Sequence, residues 1–152
     1  MEISVTKSIA TDGRTVLESG NGKFCFLRLT PGALLVTISG NDQGQFGSAA
    51  LDEIRLEILR HGKLELLIDA EQAELVTVEV SQEWTRFFAM TRQQLTRVSV
   101  LTGSKLINLT VAIAQHLSQT GNLIQIYSDR SLFDVALAKA GTAQVIKNAR
   151  AA

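Results

Sequence analysis

The sequence predicts an α/β domain in which a mixed central sheet is wound with about four helices and preceded by an antiparallel meander. Three observations predict it. Apolar runs of strand length recur at 34–38, 64–69, 98–101 and 123–127, each followed by a stretch of helical apolar spacing. The connections between these runs are long, as parallel neighbours joined by right-handed crossovers require. Before Ala33 the runs are instead separated by short turn sequences.

Each element has a local reason. Residues 3–6 and 15–18 flank Asp12-Gly13, a dipeptide suited to a hairpin turn, and Ser19-Gly20-Asn21-Gly22 turns the chain again into an apolar run over 24–29. Pro31-Gly32, with the only proline, leads into the strand at 34–38. Ser48 is placed to cap a first helix whose Leu51, Ile54 and Ile58 share one face, and Gly62 is its natural stop. Following the strand at 64–69 and the run at 75–80, Ser81 is placed to cap a second helix, with Trp84, Phe87, Phe88 and Leu95 facing inward. After 98–101, Ser104 opens a third helix whose Leu106, Ile107, Leu109, Val111, Ile113, Ala114 and Leu117 cover more of its circumference than one buried stripe needs. Ser131 with Asp134 makes a capping-box variant for a fourth helix that Gly141 ends. The chain thus divides into a meander over 1–32, a core over 33–140 and a tail over 141–152, all one domain.

Composition limits the kinds of function. With 152 residues, 45% of them hydrophobic, the chain suits a single core. Fifteen basic and fifteen acidic residues cancel, so no overall field draws in nucleic acid or an anionic membrane. The first 76 residues carry 11 acidic and 7 basic side chains and the remainder 4 and 8, a gradient that ordinary scatter of surface charge also produces. A single cysteine, Cys25 between two phenylalanines, excludes an internal disulfide and any multi-thiolate metal site. No basic and apolar leader and no uncharged stretch of about 20 apolar residues is present, so a soluble cytoplasmic protein is the default expectation.

Chemistry is sparse. Gly103-Ser104-Lys105 resembles the end of a phosphate loop, but position 98 is Val and the serine precedes the lysine, so a capped helix explains it. His61 and His116 have no second ligand type at metal spacing, and neither a metal nor a cofactor is expected. Asp69 ends one strand and Asp129 follows another, which places both at the sheet edge where open α/β proteins bind ligands, although turn and cap duties suit them as well.

Residues 33–140 resemble a STAS domain, the family of sulfate transporter and anti-sigma factor antagonist modules. The likeness is carried by Leu34-Leu35-Val36-Thr37-Ile38-Ser39-Gly40, by Leu66-Leu67-Ile68-Asp69, and by the closing stretch from Ile126 through Asp129 to Leu137. In phosphorylatable members a serine in an Asp-Ser-Ser/Thr-Gly motif at a helix start switches docking to a kinase. The corresponding stretch here is Val80-Ser81-Gln82-Glu83, where only Ser81 survives and Glu79 and Glu83 oppose added charge.

The resemblance implies a non-catalytic regulatory module with a protein partner, either kinase-like or anti-sigma-like or a second copy. Ser81, Asp69, Trp84, Asp129 and Val111 are the candidate regulatory or docking residues, and the wide apolar helix over 104–117 is a candidate homodimer face. An alternative is a small-molecule or lipid carrier, with Trp84, Phe87 and Phe88 lining a pocket near the second and third helices. An enzyme would need Ser81, Asp69, Asp129 and His116 to assemble without any local motif.

Overall fold

The computed structural model describes residues 4–103 and 123–151, with the backbone alone from 142 onward. Among the described residues seven strands form one sheet in chain order: β1 (Thr6–Ile9), β2 (Thr15–Ser19), β3 (Gly22–Thr30), β4 (Ala33–Asp42), β5 (Leu64–Val76), β6 (Leu95–Thr102) and β7 (Ile124–Tyr127). The pairings from β1 to β4 are antiparallel and those from β4 to β7 parallel. Among the described residues the helices are α1 (Ala49–His61), α2 (Val78–Thr91) and α3 (Arg130–Ala151). The expected α/β class, meander and mixed sheet are all present. The expected helix over 104–117, with Ser104, Lys105, Val111 and His116, lies outside the described residues.

The meander is set by its turns. Gly13 has φ +88° in the β1–β2 connection, and its N–H donates to the Ala10 carbonyl at 3.0 Å. Two residues join β2 to β3, and Gly20 at the first of them has φ +59°, the backbone a II′ hairpin asks of that position. Farther on, Gly40 in β4 has φ +74°, and a Cβ there would lie 1.8 Å from the Asn21 carbonyl oxygen. The hairpin tip and β4 therefore touch backbone to backbone, an approach only glycine permits.

Alternation along the strands divides the core in two. Leu34, Val36, Leu66, Ile68 and Val98 face α1 and α2, where they meet Leu51, Ile54, Phe87 and Phe88 together with Phe24 and Phe26 of β3. Leu67 and Leu101 point the other way, into a smaller cluster with Phe133 and Ala140 of α3, backed by Leu29, Leu35, Tyr127 and Leu137. A helix therefore covers each face, which explains the unbroken apolar stretches Leu66-Leu67-Ile68 of β5 and Val100-Leu101 of β6. Full burial of a side chain such as Phe24 or Phe133 contributes roughly 1.5–3 kcal/mol.

Several boundaries differ from those the sequence suggests. β5 runs on from Asp69 to Val76, seven residues past the expected end, because its far half pairs with the equally extended end of β4. α2 begins at Val78 with Thr77 as its cap, the Thr77 hydroxyl accepting from the Val80 N–H at 3.4 Å, so Ser81 lies inside the first turn and caps nothing. β-branched Val76, Thr77 and Val78 resemble a strand in isolation; the backbone bond from Thr77 N–H to the Asp42 carbonyl, 3.1 Å, fixes the helix start. Leu95, expected on that helix, is the first residue of β6.

At α1, Ser48 precedes the helix without capping a backbone amide; its hydroxyl donates to Asp52 instead. Gly62 does close α1, donating to the Ile58 carbonyl at 2.7 Å. At α3 the cap is Asp129, which accepts from both the amide and the hydroxyl of Ser131 at 2.8 and 2.6 Å, while Asp134 meets Arg130 rather than Ser131. Gly141 does not end α3, which continues through the tail to Ala151. Alanine-rich sequence after Gly141 has high helix propensity, enough to outweigh one interior glycine.

Candidate binding cleft

Between α2 and the parallel half of the sheet lies a cleft open on one side, with a cavity volume of about 80 Å³. Its floor is formed by Ile38 of β4, Ile68, Ala70 and Ala73 of β5, Val100 of β6, and Ile124 and Ile126 of β7. Phe24 of β3 and Val80, Trp84 and Phe88 of α2 supply the walls, with Trp84 stacked on Phe24 at 6.3 Å and tilted against Phe88 at 5.9 Å. Asp42, Val76, Ser81 and Thr102 complete the lining.

The strand irregularities create this surface. In a regular strand Ile68, Ala70, Gln72 and Glu74 would share one face. The register of β4 against β5 shifts between Thr37 and Ser39 and again between Gly40 and Asn41, and each shift places an extra residue on β5. Alternation is reset twice, so Ala73 and Val76 follow Ala70 into the cleft and Gln72 and Glu74 turn outward. Small alanines at 70 and 73 leave room that larger residues would fill.

Polar groups in the lining are few. Asp42 is only 6% exposed and its Oδ1 accepts from the Gly44 N–H at 3.0 Å. Burial pushes its carboxyl above the ordinary aspartate range; the Gly44 bond opposes this and the nearby Glu83 charge adds to it. Ser81, 8% exposed, donates its hydroxyl proton to the Thr77 carbonyl at 2.9 Å. The Thr102 hydroxyl is directed at the Tyr127 carbonyl, a long contact of 3.5 Å. Packing accounts for the glycine at 103: a Cβ there would come within 2.8 Å of the Glu71 carbonyl oxygen.

The structure separates the candidate residues. Ser81 and Trp84 lie in the cleft, whereas Asp69 and Asp129 lie on the opposite side of the sheet at the start of α3. Asp69 accepts from Arg130 Nη2 at 2.6 Å, and the same guanidinium reaches Glu71 at 3.1 Å and Asp134 at 3.4 Å. Asp69 and Glu71 hold the guanidinium's proton still more tightly than usual, and the Ser131 bonds hold Asp129 below the ordinary aspartate range. Asp69 and Asp129 are thus occupied in fastening α3. Val111 lies outside the described residues. His61 Nε2 is 3.3 Å from Glu57 Oε2 without hydrogen-bond geometry, and among the described residues no three His, Cys, Asp or Glu side chains are grouped to hold a metal ion.

Asp42, Ala70 and Ala73 escaped the sequence reading. An aspartate following Ser39-Gly40-Asn41 looks like a turn residue, and nothing local announces that β4 continues through it. The double register shift, which gives the alanines their place, depends on pairing between distant residues.

No protein-family model and no curated protein matches the chain. Among solved structures, it is similar to an uncharacterized DUF3478-family protein from Shewanella loihica PV-4 with a SpoIIAA-like fold, at 12% identity and a TM-score of 0.45 over 85% of this chain and 88% of that one.

Proposed function

We propose that this domain is a non-catalytic binding module whose cleft takes an apolar small molecule. The supporting observation is the cleft itself: an almost wholly apolar concavity among the described residues, open on one side and walled by three aromatic rings. Among the described residues its polar groups include no pairing of nucleophile and base. Ser81 is turned to its own helix, and His61 stands beside Glu57 at the far end of α1.

The test uses N-phenyl-1-naphthylamine, an apolar fluorescent probe, with energy transfer from Trp84, the only tryptophan. Saturable binding is expected, together with its loss in Ala70→Leu, a substitution that fills the floor. Wild-type protein that takes up no probe, or an Ala70→Leu variant that binds it as well, argues against the cleft.

A second reading, a protein-docking module of the regulatory kind, is supported by Leu132 and Val135. These lie one turn apart on α3 and are 58% and 52% exposed. Self-association measured by sedimentation, and its loss in Leu132→Glu, would favour this reading over the first.

A further inference from the structure

We infer that the cleft selects an amphiphile with an apolar tail and a cationic amine, and rejects one that ends in a carboxylate. This rests on the cleft being the ligand site. The argument is a donor and acceptor inventory of its described lining side chains. Asp42 is the one ionisable group among them, and its carboxylate offers acceptors only. Ser81 has committed its proton to Thr77, and the Thr102 proton is directed at Tyr127, so each hydroxyl presents lone pairs to the cleft. Trp84 and the remaining lining are apolar or aromatic, and electron-rich ring faces favour cations. Glu83, close enough to act on Asp42, adds a second negative charge.

An entering ammonium would therefore find a buried counter-charge whose one hydrogen-bond partner among the described residues is the Gly44 N–H. An entering carboxylate would meet like charge without a side-chain donor from the described lining, a costly juxtaposition in a partly desolvated site. The apolar floor accepts the tail in either case, so the head group decides.

The experiment compares dodecylamine, dodecanol and dodecanoate at neutral pH, each below its micelle-forming concentration, by Trp84 emission and calorimetry. The amine is expected to bind at least about tenfold more tightly than dodecanoate, with the alcohol between them. Asp42→Asn should reduce amine affinity by about tenfold or more and improve that of dodecanoate. If none of the three binds, the cleft is not an amphiphile site and the functional reading fails. If dodecanoate binds as tightly as the amine, or Asp42→Asn leaves the order unchanged while the variant melts cooperatively, the cleft binds but the head-group assignment is wrong. The comparison of ligands on wild-type protein decides the matter even if the variant does not fold.

Discussion

Replacing Glu57 with glutamine probes a carboxylate held by two arginines, Arg28 and Arg60. Glu57 is on α1 with its side chain 8% exposed, and Arg28 of β3 grips it through two bonds, one from Nε at 3.0 Å. Arg60 adds a contact at 2.8 Å, and His61 lies 3.3 Å away on the same helix. The Arg28 bond is the main reason that the Glu57 carboxyl sits below the ordinary glutamate range, with burial opposing it.

Hydrogen bonds to charged groups contribute about 1.5–3 kcal/mol when buried, whereas exposed pairs contribute under about 1 kcal/mol. Arg28 is 46% exposed, so the loss in Glu57→Gln should fall between these limits, at about 1–2 kcal/mol at neutral pH. For a chain of this size that corresponds to about 3–6 °C in Tm. A depressed folded-state value means that the stabilisation is complete above the unfolded glutamate pKa of about 4.3 and is lost as pH falls through the lower folded value. Urea denaturation at pH 7 and near pH 3 measures both quantities. The gap between wild type and variant should be wide at pH 7 and nearly closed in acid; an equal gap at the two values refutes the assignment of the effect to charge.

Other substitutions test the frame. Gly40→Ala should cost several kcal/mol or prevent folding, since it combines a positive φ with a Cβ driven into the Asn21 carbonyl, and circular dichroism with thermal melting reads the outcome. Phe133→Ala removes a fully buried ring between α3 and the sheet and should cost about 3–5 kcal/mol in denaturant unfolding. Arg130→Met, by contrast, should cost no more than about 1 kcal/mol, because the guanidinium that joins Asp69, Glu71 and Asp134 is itself 43% exposed. Asp42→Asn should raise stability at pH 7, with the advantage shrinking in acid: a carboxyl whose folded value is raised makes the native state less stable as it ionises.

The parts of this fold visible in the sequence are those determined by neighbours along the chain. The Gly13 and Gly20 turns, the Gly62 stop and the inward face of α1 follow from backbone conformation and helical spacing, and all are found. Elements set by distant partners were misread. The far half of β5 is polar and broken in rhythm because two register shifts interrupt its alternation, so only its apolar first half looks like a strand. Ser81 resembled a cap because strand-like β-branched residues precede it, whereas Thr77 and the Asp42 carbonyl start α2 earlier. Trp84 was identified from its aromatic neighbours, but the acid that lines the same cleft was not, since no spacing in the chain links positions 42 and 84.

The two register shifts in β5 also bear on how the chain tolerates changes of length. Losing or gaining one residue between Ala70 and Val76 would exchange inward and outward positions downstream, bringing glutamate side chains into the cleft and alanine to the surface. The loop at 10–14, by comparison, lies beside an exposed edge strand and has room to absorb the same change. Variation in length should therefore accumulate at the meander end of the sheet, leaving β5 a segment whose residue count matters as much as its composition.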